Sequence, residues 1–345
     1  MLRWTAEEAS LAMHRMERHV SHTNKRVGTT QVARSYVSRW LALLAALCML
    51  APLGGCGFFT SDTKDTPSPV QSASTGPVSI VATLNQWGSL AERIGGDDVK
   101  VTSILSSTNV DAHDFEPTSK DLNQLSKANV VLVNGAGYDN WATKWIPSNA
   151  STISAAETVG AIDGDNPHLW FSNEARSSVA RELFDTLCRL RPKDKSNFEK
   201  NYDAWKTSEK KLENTMKTFR KEHSDLTYAA TETIAAYLMS DMGFKDETPK
   251  GYLQAVQNDS EPAPSDLKSF QTLLKDREVK LLVINPQQES STTDQIVDAA
   301  STGSDPIPVL KVTEQMPQDQ KDLTGWISSL VKQTNDLINS EEDAE

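Results

Sequence analysis

Between Asp194 and Glu222 the chain has neither glycine nor proline, charged residues are frequent, and Phe198, Tyr202, Trp205, Leu212, Met216 and Phe219 recur three, four or seven residues apart. That spacing lines the apolar side chains along one stripe of a helix. The segment is predicted as a single helix of about 28 residues, roughly 42 Å long at about 1.5 Å per residue. A rod of that length can bridge two lobes, and the sequence on either side of it supports two.

Before the rod, Val78 to Thr83, Val99 to Leu105 and Asn129 to Asn134 read as strands. Trp87 to Ile94, Ser119 to Lys127 and Glu174 to Arg191 carry helical patterns. After it, strands are predicted at Leu226 to Thr231, Lys280 to Asn285 and Ile307 to Val312, with helices at Ile234 to Met242, Thr292 to Ala300 and Gln320 to Ile338. Strands and helices alternating at this interval indicate right-handed βαβ units and a mainly parallel sheet. The expected fold class is α/β, with two (βα)-type lobes joined by a long rigid helix. The expected divisions are a leader at 1–55, an anchor and tether at 56–77, a first lobe at 78–192, the linking helix at 193–222 and a second lobe at 223–345.

The leader follows from charge and length. Lys25, Arg26, Arg34 and Arg39 precede an apolar run from Leu41 to Leu53 that stops at Gly54-Gly55-Cys56. The run is too short to span a bilayer and has the order of a signal peptide. Its basic region is long, and Met13 or Met16 would give a later start. Leu53-Gly54-Gly55-Cys56 resembles the lipobox of bacterial lipoproteins, which implies that Cys56 is acylated and becomes the new N-terminus. From Thr60 to Pro77 the chain is rich in Ser, Thr, Pro, Asp and Lys and nearly free of apolar residues, as expected of a flexible tether.

Of 35 basic and 47 acidic residues, seven and three precede Cys56, which leaves 28 against 44 and a formal charge of −16 for the remainder. Nucleic acid is excluded as an expected partner, because no basic stripe is present to neutralise phosphates. Beyond Cys56 the only cysteine is Cys188, so neither a disulfide framework nor a thiolate zinc cluster is available. Cys188 lies in the apolar stripe of Leu183, Phe184, Leu187 and Leu190 and is expected in the core.

Three histidines follow Cys56: His113, His168 and His223. His113 lies in Asp111-Ala112-His113-Asp114-Phe115-Glu116-Pro117, and His168 in Asn166-Pro167-His168-Leu169-Trp170. Loops of this kind gather at the carboxyl ends of strands, where open α/β sheets bind ligands. Imidazole suits borderline metals, and an adjacent proline stiffens the backbone that holds the ring. Taken alone, a loop histidine is most simply an exposed residue. His223, at the end of the charged helix, reads as solvent-facing or as a complement to the helix dipole.

The strings H-x-x-E-P at His113 to Pro117 and N-P-H-x-W at Asn166 to Trp170, followed by the long helix, resemble the manganese and zinc substrate-binding lipoproteins of ABC importers, the cluster A-I or ZnuA-like family. The resemblance runs from about Val78 to the C-terminus. It implies that four side chains converge in the cleft between the lobes: His113, His168, Glu232 in Thr231-Glu232-Thr233-Ile234, and a fourth donor from Asn285-Pro286-Gln287-Gln288-Glu289-Ser290. For that fourth place Glu289 is the nearest carboxylate, and Asn285 or water is the alternative. Glu116 is expected to orient His113 or to cap the helix opening near Pro117 and Thr118. Asp111 and Asp114 are expected as loop carboxylates, and Trp141 and Trp170 as packing at the lobe interface.

Two neutral imidazoles and two carboxylates would cancel the charge of a divalent cation, so a closed site would bury no net charge. This donor set is harder than one built on three histidines, which tilts the expectation toward Mn²⁺. The lack of a histidine-rich loop weakens the case for Zn²⁺ without removing it, since zinc binds tighter at comparable geometry. The resemblance further implies a permease and its ATPase as partners, a lipid-anchored position on the outer face of the membrane and a monomer, while the stiffness of the joining helix predicts small tilts and local loop rearrangement rather than a wide hinge. No catalytic residue is expected: a zinc hydrolase would need an open coordination position and a general base, and no H-E-x-x-H string occurs. A binding protein for an organic solute and a surface adhesin are the alternative readings.

Overall fold

A computed structural model describes residues 76–110, 115–258, 260–288, 290–303 and 305–342. Cys56, the leader and most of the tether therefore lie outside the described residues, as do Asp111, His113, Asp114 and Glu289.

The first lobe runs β1 (Val78–Leu84), α1 (Asn85–Gly95), β2 (Val99–Leu105), α2 (Ser119–Leu125), β3 (Val130–Val133), α3 (Asn140–Thr143), β4 (Ser151–Ser154), α4 (Ala155–Val159) and α5 (Asn173–Leu190). The linking helix α6 (Lys195–Glu222) follows. The second lobe runs β5 (Thr227–Ala230), α7 (Ala236–Met242), β6 (Lys245–Asp246), α8 (Lys250–Gln257), α9 (Pro264–Lys275), β7 (Leu281–Ile284), α10 (Ser291–Ala300), β8 (Val309–Lys311) and α11 (Leu323–Glu342). Among the described residues no helix is long and apolar enough to cross a membrane.

Every strand pairing is parallel, and the two sheets share one plan, β2-β1-β3-β4 and β6-β5-β7-β8. In each, the strand order reverses beside the first strand of the lobe, which opens a crevice past the carboxyl ends of β1 and β3 and of β5 and β7. The four residues of β3 and the first three of β7 are buried, which explains their continuous apolar sequence: a parallel strand is covered on both faces.

α6 spans 28 residues, the predicted length, and buries Phe198, Tyr202, Trp205, Leu212, Met216 and Phe219. One apolar cluster runs from Ile80 and Leu132 of the first sheet, across that stripe, to Tyr228, Val283 and Leu310 of the second and Ile327 of α11. Smaller clusters cover the outer faces of the sheets, around Leu125 and Val131 in the first lobe and around Phe270 and Leu282 in the second.

Some expectations need correction. β4 and the two-residue β6 escape the sequence pattern because each is short and polar. α8 and α9 escape because the buried faces are narrow: Tyr252 alone on one, Phe270 and Leu274 on the other. The terminal helix starts at Leu323 rather than Gln320 and continues to Glu342. α2 is capped by Thr118 and Asp121 in a reciprocal capping box, so Glu116, which is exposed, does not cap it. His223 follows the last residue of α6, half-buried, with its ring against Phe219, at the end where a cation would complement the helix dipole. Cys188 packs at the margin of the core, and partial burial pushes its thiol pKa up.

Candidate metal centre

The loop after β3 is the first fixed part of the site. Gly135, Ala136 and Gly137 all have positive φ (76°, 51° and 84°). A side chain at Gly135 would meet Ala156 Cβ at 2.7 Å, so both conformation and space require glycine there. This turn brings the Asp139 carboxylate back to accept from Asn134 N at 2.6 Å, Gly135 N at 2.9 Å and Thr83 Oγ1 at 2.5 Å. Burial raises the Asp139 pKa despite those three bonds. Asn134 in turn donates from Nδ2 to the Pro167 carbonyl at 2.8 Å, which ties the turn to the His168 loop.

His168 is 4% exposed and precedes a 3-10 turn over Leu169–Phe171. Its Nδ1 lies 2.6 Å from Asn166 Oδ1, and its backbone N–H donates to the same oxygen at 3.1 Å. With Asn166 Oδ1 as acceptor, the imidazole carries its proton on Nδ1 and its lone pair on Nε2, the tautomer a cation requires. Asn166 also reaches the second lobe: Nδ2 donates to Thr233 O at 2.9 Å, and Tyr237 Oη donates to Asn166 O at 3.0 Å.

Glu232 follows β5 and is 6% exposed. It shares with His168 a cavity of about 540 Å³ whose walls come from both lobes, including Ala136 and Asn166 of the first and Gln254, Asn258 and Gln288 of the second. The Glu232 charge helps to raise the Tyr252 and Tyr138 phenols, burial being the larger cause in both.

Two sequence-expected donors, His168 and Glu232, are thus brought to one cavity. His113 and Glu289 lie outside the described residues, although Gln288, the neighbour of Glu289, lines the cavity, and Val110, three residues before His113, has its carbonyl bonded by Gln287 Nε2 at 3.1 Å. Among the described residues no three of His, Cys, Asp and Glu are grouped as a metal cage. Asn285 is buried, and its amide is engaged by Gln287 N at 2.9 Å and Glu314 Oε1 at 3.4 Å. Trp170 packs edge-on to His168 with ring centroids 5.3 Å apart, and Trp141 packs on Phe115 at 5.2 Å.

Glu314 was not legible as a site residue. It is 1% exposed, and Tyr138 Oη donates to its Oε2. Burial first, then Glu314 itself, holds the Tyr138 phenol well above its ordinary pKa, so it remains a donor. The available signal was position: Glu314 follows a predicted strand at the carboxyl end of its sheet, as Glu232 does.

A family model, ZnuA, described as zinc-uptake complex component A, periplasmic, matches residues 80–339. The chain is 27% identical over 278 residues to the manganese-binding lipoprotein MntA of Bacillus subtilis (strain 168), covering 76% of this chain and 84% of that one. It is 20% identical over 322 residues to the high-affinity zinc uptake system protein ZnuA of the same organism, covering 87% and 97%. Among solved structures, the periplasmic zinc-binding protein TroA of Treponema pallidum superposes with a TM-score of 0.63 at 17% identity, covering 77% of this chain and 99% of that one. A mutant of the laminin-binding adhesin Lmb of Streptococcus agalactiae also gives 0.63, at 20% identity, covering 76% and 99%. The structural matches carry the two-lobed fold, the sequence match extends over most of the chain, and this protein belongs to the ZnuA family.

Proposed function

We propose that this protein is the substrate-binding component of an ABC importer, capturing Mn²⁺ or Zn²⁺ and delivering it to a membrane permease driven by its ATPase. It is a binding protein and not an enzyme. The observation that carries the reading is that His168 and Glu232, from opposite lobes and 64 residues apart in sequence, line one cavity past the carboxyl ends of two parallel sheets. His168 presents a lone pair on Nε2, Glu232 supplies a carboxylate, and His113 and Glu289 are the remaining donors of the proposed set. These donors replace water around the ion, and their charges cancel it. Acylated Cys56 holds the body at the outer face of the membrane, with residues 56–77 as the tether and a monomer as the working unit.

The test is calorimetric titration of chelator-stripped protein with Mn²⁺ and Zn²⁺, alone and in competition. One ion per chain is expected, and His113→Ala/His168→Ala abolishes stoichiometric binding. An unchanged affinity in that double variant refutes the site.

A further inference from the structure

We propose that the face shared by α6 and α11 docks on acidic phospholipid, with Lys206, Lys210, Lys211 and Lys332 meeting lipid phosphates at the membrane to which the chain is anchored. The inference rests on the anchored reading above.

α6 carries eight basic and five acidic residues, of the 28 and 44 that follow Cys56, so the linking helix is positive where the body as a whole is strongly negative. One of its acids, Glu209, is buried and paired with Arg176. The eight cations are all exposed, and four carboxylates of the helix remain to balance them.

Between α6 and α11 runs a groove of about 950 Å³, with buried Phe219 and Val331 in its wall and lysines from both helices: Lys206, Lys210 and Lys211 from the first, Lys332 from the second. Asp203 and Glu222 also line it, so positive charge is in excess. Three of the lysines pair within their own helix, Lys206 with Asp203 and Lys210 with Glu213, each at 2.8 Å, and Lys332 with Asp336. These lysine side chains are more than half exposed, and ion pairs so open to water are weak, so a dense array of phosphates competes for them.

The start of the described chain lies beside the same helix. The carbonyl of Gly76 accepts from Arg191 Nη1, and Arg191 pairs with Asp194 at 2.7 Å, immediately before α6. The chain that leads back to Cys56 therefore leaves the body at the N-terminal end of the basic helix. Gly76 is twenty residues beyond Cys56, a span of at most about 70 Å when fully extended. The nearest groove residue, Asp203, is about 12 Å along α6 from Lys195. An acyl group at Cys56 thus keeps this face within reach of lipid phosphates, and a cluster of about four to eight lysines and arginines is what an acidic bilayer surface attracts. The groove shares no residue with the cavity of His168 and Glu232, so lipid and ion do not compete for the same side chains.

The test uses the acylated chain, isolated from cell membranes and reconstituted in vesicles of phosphatidylcholine alone or mixed with phosphatidylglycerol. Lysines are briefly acetylated and read by mass spectrometry at low and at high salt. In the mixed vesicles Lys206, Lys210, Lys211 and Lys332 are expected to be protected roughly 3- to 10-fold relative to phosphatidylcholine, with the protection fading at high salt. The exposed Lys144 and Lys268 are expected to label alike in both. Lys210→Glu/Lys332→Glu should abolish the protection of Lys206 and Lys211 while binding metal as wild type does. Equal labelling in the two vesicles overturns the proposal, as does protection that survives in the variant. Protection that arises without vesicles and grows with protein concentration overturns it in favour of a second copy of the chain. Protection confined to native membranes overturns it in favour of an acidic protein. If the N-terminal peptide carries no acyl group, the anchored reading itself fails and the proposal with it, an outcome distinct from any labelling pattern.

Discussion

Glu209 occupies the place in the buried stripe of α6 where the spacing 198, 202, 205, 212, 216, 219 lacks a member, and Arg176 of α5 donates to it from Nε at 3.1 Å. Both side chains are nearly inaccessible, at 1% and 6% exposure. The pair is tied into its surroundings: Arg176 Nη1 donates to the Trp170 carbonyl at 3.1 Å, and Thr324 Oγ1 of α11 donates to Glu209 Oε1 at 2.6 Å. The turn following His168 is therefore fastened to both the linking helix and the terminal helix by one ion pair.

Removing one partner leaves the other charge buried and uncompensated. Arg176→Ala is expected to cost about 3–5 kcal/mol of stability, and Arg176→Met/Glu209→Leu to recover most of that loss. Urea unfolding of the two variants checks both; equal losses would mean that packing, and not charge, dominates.

Asn166 sets the tautomer of His168 and joins it to Thr233, the neighbour of Glu232. Asn166→Ala should lower metal affinity roughly 10- to 100-fold with the stoichiometry intact, as measured by calorimetry.

On the exposed face of α6, hydrogen bonds from Lys210 and Lys217 bring the Glu213 pKa down to about 2. A depressed carboxylate stabilises the fold fully above its unfolded value of about 4.3, and the contribution is lost as pH falls from there toward about 2. Glu213→Gln should flatten the acid limb of the stability–pH curve in that window at low salt. Because the side chain is 31% exposed, the effect is small and added salt should diminish it.

The central apolar cluster crosses from one sheet to the other through α6, so the lobes share a core. Thermal unfolding followed by circular dichroism and by tryptophan fluorescence should give one coincident transition. Two resolved steps would show that the lobes unfold independently.

The long helix and most of the strands were legible because their signals are local: a stripe without breakers, and short buried apolar runs. Glu209 was hidden because a charge inside an apolar stripe looks like a gap, and only the tertiary position of Arg176 explains it. Likewise, His168 and Glu232 could be named from their strings, whereas Glu314 has no string. Its carboxylate is met by Tyr138, 176 residues away in sequence. The polar helices between Gly243 and Val279 failed for the reverse reason, since each buries too little for periodicity to register.

Asn85 bonds both the N–H and the carbonyl of Met316, Ser89 accepts from Leu323 N, and Arg93 pairs with Asp322, so one side of α1 is completed by residues more than two hundred positions downstream. During synthesis this helix must wait, with its seam unfilled, until more than two hundred further residues have emerged, so a lesion at Met316, Asp322 or Leu323 would injure the first sheet's side of the molecule as well as its own.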